Sequence, residues 1–138
     1  MKIAFLDRDA LAGPGPWINS VLSTNRRIVS TCLRVLETHP AVIVAGPVRC
    51  LDWLYLSMTL QKSGAQCHCI GLTASSNAIE ARRRALSRNE RDRSREMVSQ
   101  GYGQRPFRVG TLRTDHHNIA SATDMLVAQL SKLQTGVE

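Results

Sequence analysis

Aromatic side chains are scarce in this chain of 138 residues, which contains two Trp, two Tyr and two Phe. Proteins that bind single-stranded nucleic acid stack the bases on such side chains, and the sequence contains no recognisable nucleic-acid-binding module. We therefore expect no nucleic-acid partner, although the net charge of the chain is +7.

Long apolar runs and closely spaced cysteine pairs are also missing. No apolar run approaches the ~20 residues that span a bilayer, and the opening run, residues 3–6, turns charged too soon for the core of a signal peptide. The four cysteines form no C-x-x-C pair. Cys67 and Cys69 lack the second pair of ligands that a zinc site needs, so we expect no metal there. These features predict a cytoplasmic protein with reduced thiols and no membrane partner.

Positive charge is concentrated in one segment, because seven of the 15 arginines lie between residues 82 and 95. Positive charge concentrated in one segment indicates a binding role for that segment, for example toward a phosphate ligand. Arg84, Arg88 and Arg91 are spaced four and three residues apart, which places them on one face of a helix. Arginine binds phosphate oxygens through a planar fork, so this face suits a lid over a nucleotide. The alternative is a solvated charged face that includes acidic neighbours such as Glu90.

Apolar periodicity predicts that strands and helices alternate along the chain. Short apolar runs bounded by Gly, Pro or polar residues are typical of buried strands, and apolar residues at helical spacing follow them. The predicted strands are 3–6, 41–46, 66–72 and 107–112, and the predicted helices are 26–37 (capped by Asn25), 49–63, 77–97 (capped by Ser75 or Ser76) and 118–133. This order predicts an α/β fold in a single domain, residues 1–138, with helices on the faces of a mostly parallel sheet of about four strands.

Two carboxylates, Asp7 and Asp9, follow the first predicted strand. Ligands of open α/β sheets bind outside the carboxyl ends of the strands. There, an acidic pair can hold Mg²⁺, or one member can accept a proton from a hydroxyl during phosphoryl transfer. The alternative is structural: Asp9 caps a turn and Asp7 pairs with an arginine.

The order of the motifs resembles that of the small P-loop kinases of the chloramphenicol phosphotransferase, zeta-toxin and gluconate/shikimate kinase type. In those proteins an acidic strand end follows the P-loop helix, a strand ending in L-x-A-S precedes a lid helix with an R-x-x-x-R step, and a T-D turn precedes the last helix. The matching segments are FLDRDALAGPGPW, HPAVIVAGPV, GAQCHCIGLTAS, the Arg-rich helix and GTLRTDHHNIASATDMLVAQL. The resemblance extends from Phe5 to Leu130. It implies a three-layer, P-loop NTPase-like fold and ATP-dependent phosphoryl transfer to a hydroxyl of a small molecule, with ATP and Mg²⁺ as cofactors.

The resemblance also implies roles for individual residues. Asp7 or Asp9 would orient or deprotonate the substrate hydroxyl, and Gly46 and Arg49 would border the substrate pocket. The residues that would contact the nucleotide are the lid arginines Arg84, Arg88 and Arg91 and, near the adenine, Thr114 and Asp115. The expected ligand is accordingly a nucleotide or a small phosphorylated molecule.

One part of the family pattern is missing, the G-x-x-x-x-G-K-[ST] loop that cradles the phosphates. None of the three lysines follows a Gly-rich loop, and residues 12–16 cannot substitute, because two prolines remove backbone N–H donors. The family's central strand, which precedes that loop, is missing as well. The strand that starts at Lys2 and the strand on the other side of the vacant central position should therefore have unpaired edges. Either these edges pair with each other, or a protein partner or second copy fills the gap, or an upstream start supplies the missing segment. We therefore expect a truncated or degenerate kinase-like domain that is not active alone, or a non-catalytic domain that binds a nucleotide, phosphate or protein.

A third hypothesis is a phosphatase of the haloacid dehalogenase type, since FLDRDAL resembles the opening h-h-h-D-x-D-x-T of that family. Asp7 would be the nucleophile, Asp9 the acid/base, and Thr73 the second motif. However, Leu11 stands where that family has Thr or Val. The Lys and the late acidic pair that the family requires are also missing, because no lysine lies between Lys62 and Lys132.

Overall fold

The computed structural model has an α/β fold in which short parallel strands alternate with helices, as the periodicity predicts. It describes residues 2–13, 15–81 and 87–134. The elements are β1 (Ile3–Asp7), α1 (Arg8–Leu11), α2 (Trp17–Leu36), β2 (Ala41–Ala45), α3 (Cys50–Lys62), β3 (Ile70–Thr73), α4 (Ser76–Glu80), α5 (Arg88–Ser99), β4 (Gly110–Arg113) and α6 (Ile119–Gln134), with short 3-10 turns at Tyr102–Gln104 and Thr114–His116.

The strands form two parallel pairs within the described residues, β1 with β2 and β3 with β4. In the first pair Ile3 aligns with Ala41 and Asp7 with Ala45. In the second pair the register runs from Ile70 opposite Gly110 to Thr73 opposite Arg113. Parallel pairing needs a long crossover, which α1 and α2 provide in the first pair and α4 and α5 in the second. A single sheet of about four strands is not shown and stays a prediction.

The chain divides into two compact units, Met1–Cys67 and His68–Glu138. In the first unit α2 and α3 bury a small apolar core made of Ile28, Val29, Cys32 and Leu60. Alternate residues of β1 and β2 face this core, and those packed on it are Leu6, Val42 and Val44. Full burial of an apolar side chain, as for Ile28 at 1% exposure, contributes about 1.5–3 kcal/mol. The opposite face of β1 is open, since Phe5 is 64% exposed.

In the second unit two glycines allow a close backbone crossing over β3. A Cβ atom on Gly71 would overlap the carbonyl oxygen of Gly103, and a Cβ atom on Gly103 would overlap that of Leu72. The 3-10 turn Tyr102–Gln104 therefore rests directly on the strand. Leu112 of β4 is buried at 2% exposure, and the N–H of Val109 donates to the carbonyl oxygen of Cys69 just before β3.

Helix α2 begins at Trp17, nine residues earlier than predicted, and the prediction that Asn25 caps it is wrong. Pro16 occupies the N-cap position, which leaves no N–H of its own to satisfy. Asn25 lies inside the helix at 4% exposure, and its side-chain amide donates to Asp52. The side chain of Asn25 therefore binds the buried carboxylate of Asp52 and does not cap a helix.

The single helix predicted over residues 77–97 is also wrong. Ser75 caps α4 as predicted, accepting a hydrogen bond from the N–H of Ala78, but α4 ends at Glu80. A second cap starts α5: the N–H of Glu90 donates to Oγ of Ser87 at 3.2 Å, while the N–H of Ser87 donates to Oε2 of Glu90 at 3.1 Å. This reciprocal capping box fixes a new helix start inside the Arg-rich segment.

Candidate functional site

The carboxyl end of β1 carries the two predicted carboxylates. Asp7 is the last residue of the strand, and Asp9 follows in the short helix α1. Oδ1 of Asp7 accepts a hydrogen bond from the N–H of Asp9 at 2.9 Å, so Asp7 caps α1. Both side chains are exposed, which leaves carboxylate oxygens available to a ligand at the strand end.

Arg8, between the two carboxylates, is buried at 6% exposure. Its side chain runs beside Gly46, the residue that follows β2, and Nη2 lies 3.4 Å from Oδ1 of Asp52 in α3. Gly46 has φ +154°, and a Cβ atom at that position would stand 2.5 Å from Cβ of Arg8. A glycine is therefore needed at the end of β2 for Arg8 to reach its partner.

Asp52 is completely buried and accepts hydrogen bonds from helix α2 and from Arg49, the N-cap residue of its own helix. The side-chain amide of Asn25 donates to Oδ1 at 2.9 Å. Oδ2 accepts from the backbone N–H of Arg49 at 3.0 Å and from its Nε–H at 2.9 Å. Burial raises the pKa of Asp52, but the hydrogen bonds from Asn25 and Arg49, together with the charge of Arg8, outweigh it and hold the pKa below its usual value. Asp52 is therefore an anion that ties α1, α2 and α3 together.

The first unit buries six polar or charged side chains among its described residues. The buried polar side chains are Arg8, Ser20, Thr24, Asn25, Asp52 and Ser57. Two of their atoms, Nη1 of Arg8 and Oδ1 of Asn25, are buried without a hydrogen-bond partner among the described residues. Buried polar atoms are nearly always hydrogen-bonded, so such exceptions need an explanation.

The structure therefore brings three sequence-predicted site residues to neighbouring strand ends: Asp7 after β1, and Gly46 and Arg49 after β2. They are linked through Arg8 and Asp52, which the sequence reasoning did not select. In the sequence, Asp52 looks like an ordinary acidic residue in the first turn of a helix, where a negative charge interacts favourably with the helix dipole. The available signal was its spacing, since an acidic residue at the third helical position often bonds back to the N-cap backbone.

In the second unit, the predicted residues Thr114 and Asp115 tie two strand ends together. Asp115 accepts hydrogen bonds from Nε and Nη2 of Arg113 at 3.0 and 2.8 Å and from the N–H of Ser75 at 3.0 Å. The hydrogen bond from Arg113, followed by that from Ser75, holds the pKa of Asp115 well below its usual range. The hydroxyl of Thr114 donates to the carbonyl oxygen of Thr73 at 3.2 Å. These contacts fix the loops that follow β3 and β4.

The predicted lid arginines lie on α5 in part. Arg88 and Arg91 are one helical turn apart, and both are exposed. Helix α5 buries none of its described side chains. Arg84 lies outside the described residues.

The described part of the chain has no helix long and apolar enough to cross a membrane. It also has no cluster of three or more His, Cys, Asp or Glu side chains that could hold a metal ion. The four cysteines are free thiols. Cys67 and Cys69 precede β3, which begins at Ile70, so the predicted strand over residues 66–72 is too long at its start.

Comparison of the chain with protein-family models, with curated proteins and with solved structures gives no match.

Proposed function

We propose that this chain is the substrate side and lid of a P-loop-kinase-like domain, which acts on a hydroxyl of a small molecule. The observation that carries the proposal is the gathering of Asp7, Gly46 and Arg49 at the carboxyl ends of two paired parallel strands. Ligands of α/β sheets bind at that edge. The exposed carboxylates of Asp7 and Asp9 can accept a hydrogen bond from a substrate hydroxyl, and the Asp52 network fixes the segment that carries them.

The proposed nucleotide contacts lie in the second unit. Arg88 and Arg91 present guanidinium groups from an exposed helix, as binding of ATP phosphates requires. Thr114 and Asp115 hold the loops after β3 and β4 in place, which would shape the adenine end. Mg²⁺ would bind with ATP, since phosphate oxygens supply much of its coordination.

The chain is not expected to transfer a phosphoryl group by itself. The sequence contains no G-x-x-x-x-G-K-[ST] loop, and such a loop supplies most of the charge stabilisation in P-loop enzymes. We propose that the two strand pairs belong to one mostly parallel sheet with helices on both faces, in which a further strand, from a preceding segment or from another polypeptide, takes the central position. In this proposal, the chain is a cytoplasmic, degenerate kinase-like domain.

A non-catalytic protein-binding role is the second candidate, and an exposed apolar stripe on α3 favours it. Leu51, Leu54 and Met58 are spaced three and four residues apart and are 78%, 52% and 57% exposed. A helix that is apolar on both faces is usually covered on both. Sedimentation of the wild type and of the double variant Leu51→Asp/Met58→Asp tests this role. Self-association that the variant abolishes supports it, and a monomer in both proteins contradicts self-association through this face.

Calorimetric titration with ATP and Mg²⁺ tests the nucleotide proposal. We expect weak binding that falls at least tenfold in Arg88→Ala/Arg91→Ala. The matched control is Arg26→Ala/Arg27→Ala, which removes two exposed arginines of α2. Equal binding by both double variants, or no binding by the wild type, contradicts the lid assignment. Hydrolysis of p-nitrophenyl phosphate that disappears in Asp7→Asn favours the phosphatase instead.

A further inference from the structure

We propose that Cys32 and Cys67 form a redox site in the first unit, at which a low-molecular-weight disulfide such as oxidised glutathione converts the two thiols into an internal disulfide. The inference goes beyond the proposed function and does not depend on it. Its basis is that both thiols belong to one apolar core. Cys32 is a member of the buried cluster formed by α2 and α3, and Cys67 packs against that cluster.

The two cysteines reach this core from different parts of the chain. Cys32 lies in α2 and is 1% exposed, whereas Cys67 follows α3 and is half-buried. The segment that carries Cys67 is fixed on the core, because Ala65 packs there as well and its N–H donates to the carbonyl oxygen of Leu60 at 3.2 Å. The fold therefore holds both thiols in the same core before any bond between them forms.

The electrostatics of the thiols also indicate that these two are neighbours. Burial raises the pKa of Cys32 to about 11, and the charge of Cys67 contributes to the rise. A like charge has this effect when it lies a few ångströms away. Cys69 has a different neighbour, since burial raises the pKa of its thiol and the charge of Arg108 opposes that rise. Cys67 is therefore the cysteine that the fold pairs with Cys32.

The reaction is an exchange of disulfides and begins at the more accessible thiol. The thiolate of Cys67 attacks one sulfur of the small disulfide, forms a mixed disulfide and expels one thiolate. The thiolate of Cys32 then attacks the Cys67 sulfur and expels the second. The two cysteine protons pass to the expelled thiolates, so two cysteines are oxidised and one small disulfide is reduced to two thiols. Burial raises the pKa of Cys67 as well, which makes the exchange slow.

The new bond would join α2 to the last residue of the first unit. It closes a loop over residues 32–67 that contains β2 and α3. Such a cross-link restricts the unfolded chain more than the folded one. Oxidation should therefore stabilise the first unit and fix the point at which the chain leaves it.

Thiol–disulfide equilibrium in mixtures of reduced and oxidised glutathione tests the site. The variant Cys50→Ala/Cys69→Ala keeps only Cys32 and Cys67, and mass spectrometry of acid-quenched samples gives its ratio of disulfide to dithiol. We expect the effective concentration of the two thiols to be at least tenfold higher in the native chain than in concentrated urea. A native value no higher than the value in urea overturns the inference.

The matched control is Cys50→Ala/Cys67→Ala, which leaves Cys32 and Cys69 at nearly the same separation in sequence. The two pairs should have similar effective concentrations in urea, whereas the native chain should favour the Cys32 and Cys67 pair at least tenfold. Equal native values overturn the inference. If circular dichroism shows that a variant does not fold, tandem mass spectrometry of the oxidised wild type replaces it. The bond between Cys32 and Cys67 should then be the main internal disulfide, and a different main pairing overturns the inference.

Discussion

Gly46 and Arg8 are in direct contact at the ends of β2 and β1, with only 2.5 Å between Cβ of Arg8 and the position that a Cβ atom of Gly46 would occupy. Residues with a side chain also rarely adopt the backbone φ of +154° found at Gly46. We expect Gly46→Ala to be destabilising because the new methyl group pushes Arg8 away from Asp52. Overpacking of this kind costs about 1–3 kcal/mol.

Urea unfolding followed by tryptophan fluorescence measures this cost, since both tryptophans belong to the first unit. The control is Gly64→Ala, which also has a positive φ but has no atom within 4 Å of the added Cβ. The contact between Gly46 and Arg8 predicts that Gly46→Ala loses more stability than Gly64→Ala. Equal losses would show that backbone conformation alone accounts for the effect.

Replacing Asp52 by Ala should be among the most destabilising substitutions in the first unit. It leaves the guanidinium of Arg8 buried without its ion-pair partner, and breaking a buried pair in this way costs about 3–5 kcal/mol. The same fluorescence experiment gives the free energy of unfolding. Glu37→Ala, at an exposed position directly after α2 in the same unit, should change it by less than about 0.5 kcal/mol. A similar small change in Asp52→Ala would contradict the buried network.

Stability should fall at acidic pH, in part because of Asp52. Its pKa in the folded chain lies below the usual value of 3.8, so the folded state favours the ionised form. The stabilisation is complete above the unfolded pKa, near pH 4, and is lost as the pH falls through the folded pKa. Unfolding free energies measured from pH 6 to pH 2.5 should show this loss. Asp52→Asn should flatten the acid limb of the curve, and an acid limb as steep as that of the wild type would contradict this contribution.

In the second unit, Gly103→Ala should weaken the attachment of the turn Tyr102–Gln104 to β3. The new Cβ atom would overlap the carbonyl oxygen of Leu72, and the backbone cannot yield as a flexible side chain can. We expect a loss of about 1–3 kcal/mol and faster amide hydrogen exchange in β3. Gly101→Ala is the control, because nothing lies within 4 Å of its added Cβ. Unchanged exchange in Gly103→Ala would contradict the close crossing.

The thiols should differ in their reaction with iodoacetamide at pH 8. Cys32 is 1% exposed, and burial, with a smaller contribution from Cys67, raises the pKa of its thiol to about 11. Since the thiolate is the reactive form, Cys32 should remain unmodified while the exposed Cys50 reacts. Mass spectrometry of native and urea-unfolded samples measures this. Rapid native modification of Cys32 would show that the core opens.

The sequence predicts the local elements well where turn residues bound them. Strand β2 and helix α3 are confirmed almost residue by residue, because Pro40 precedes β2 and Gly46 follows it. The cap at Ser75 is confirmed for a different reason, because a serine hydroxyl readily accepts a hydrogen bond from a free N–H at the start of a helix. In the Arg-rich segment, however, Arg and Glu favour a continuous helix, and no Gly or Pro marks the end of α4 at Glu80 or the start of α5 at Arg88.

Features that depend on contacts distant in sequence were not predictable. Asn25 suits a helix cap by residue type, and only its contact with Asp52 explains its burial within α2. The candidate site was recognised from Asp7 and Asp9, which are exposed, while the buried Arg8 between them gave no signal. Strand pairing is a further case, since apolar runs do not specify their neighbours in a sheet.

The hydrogen bond between Asn25 and Asp52 joins residues 27 positions apart. Arg8, even earlier in the chain, forms an ion pair with the same carboxylate. A ribosome adds about 5–20 residues per second, so roughly 1–5 s separate the synthesis of Asn25 from that of Asp52. During that interval the nascent chain has two polar side chains ready for a carboxylate that has not yet been made. The first unit can reach its final packing only after α3 and the segment that follows it to Cys67, which packs against the same core, have been synthesised.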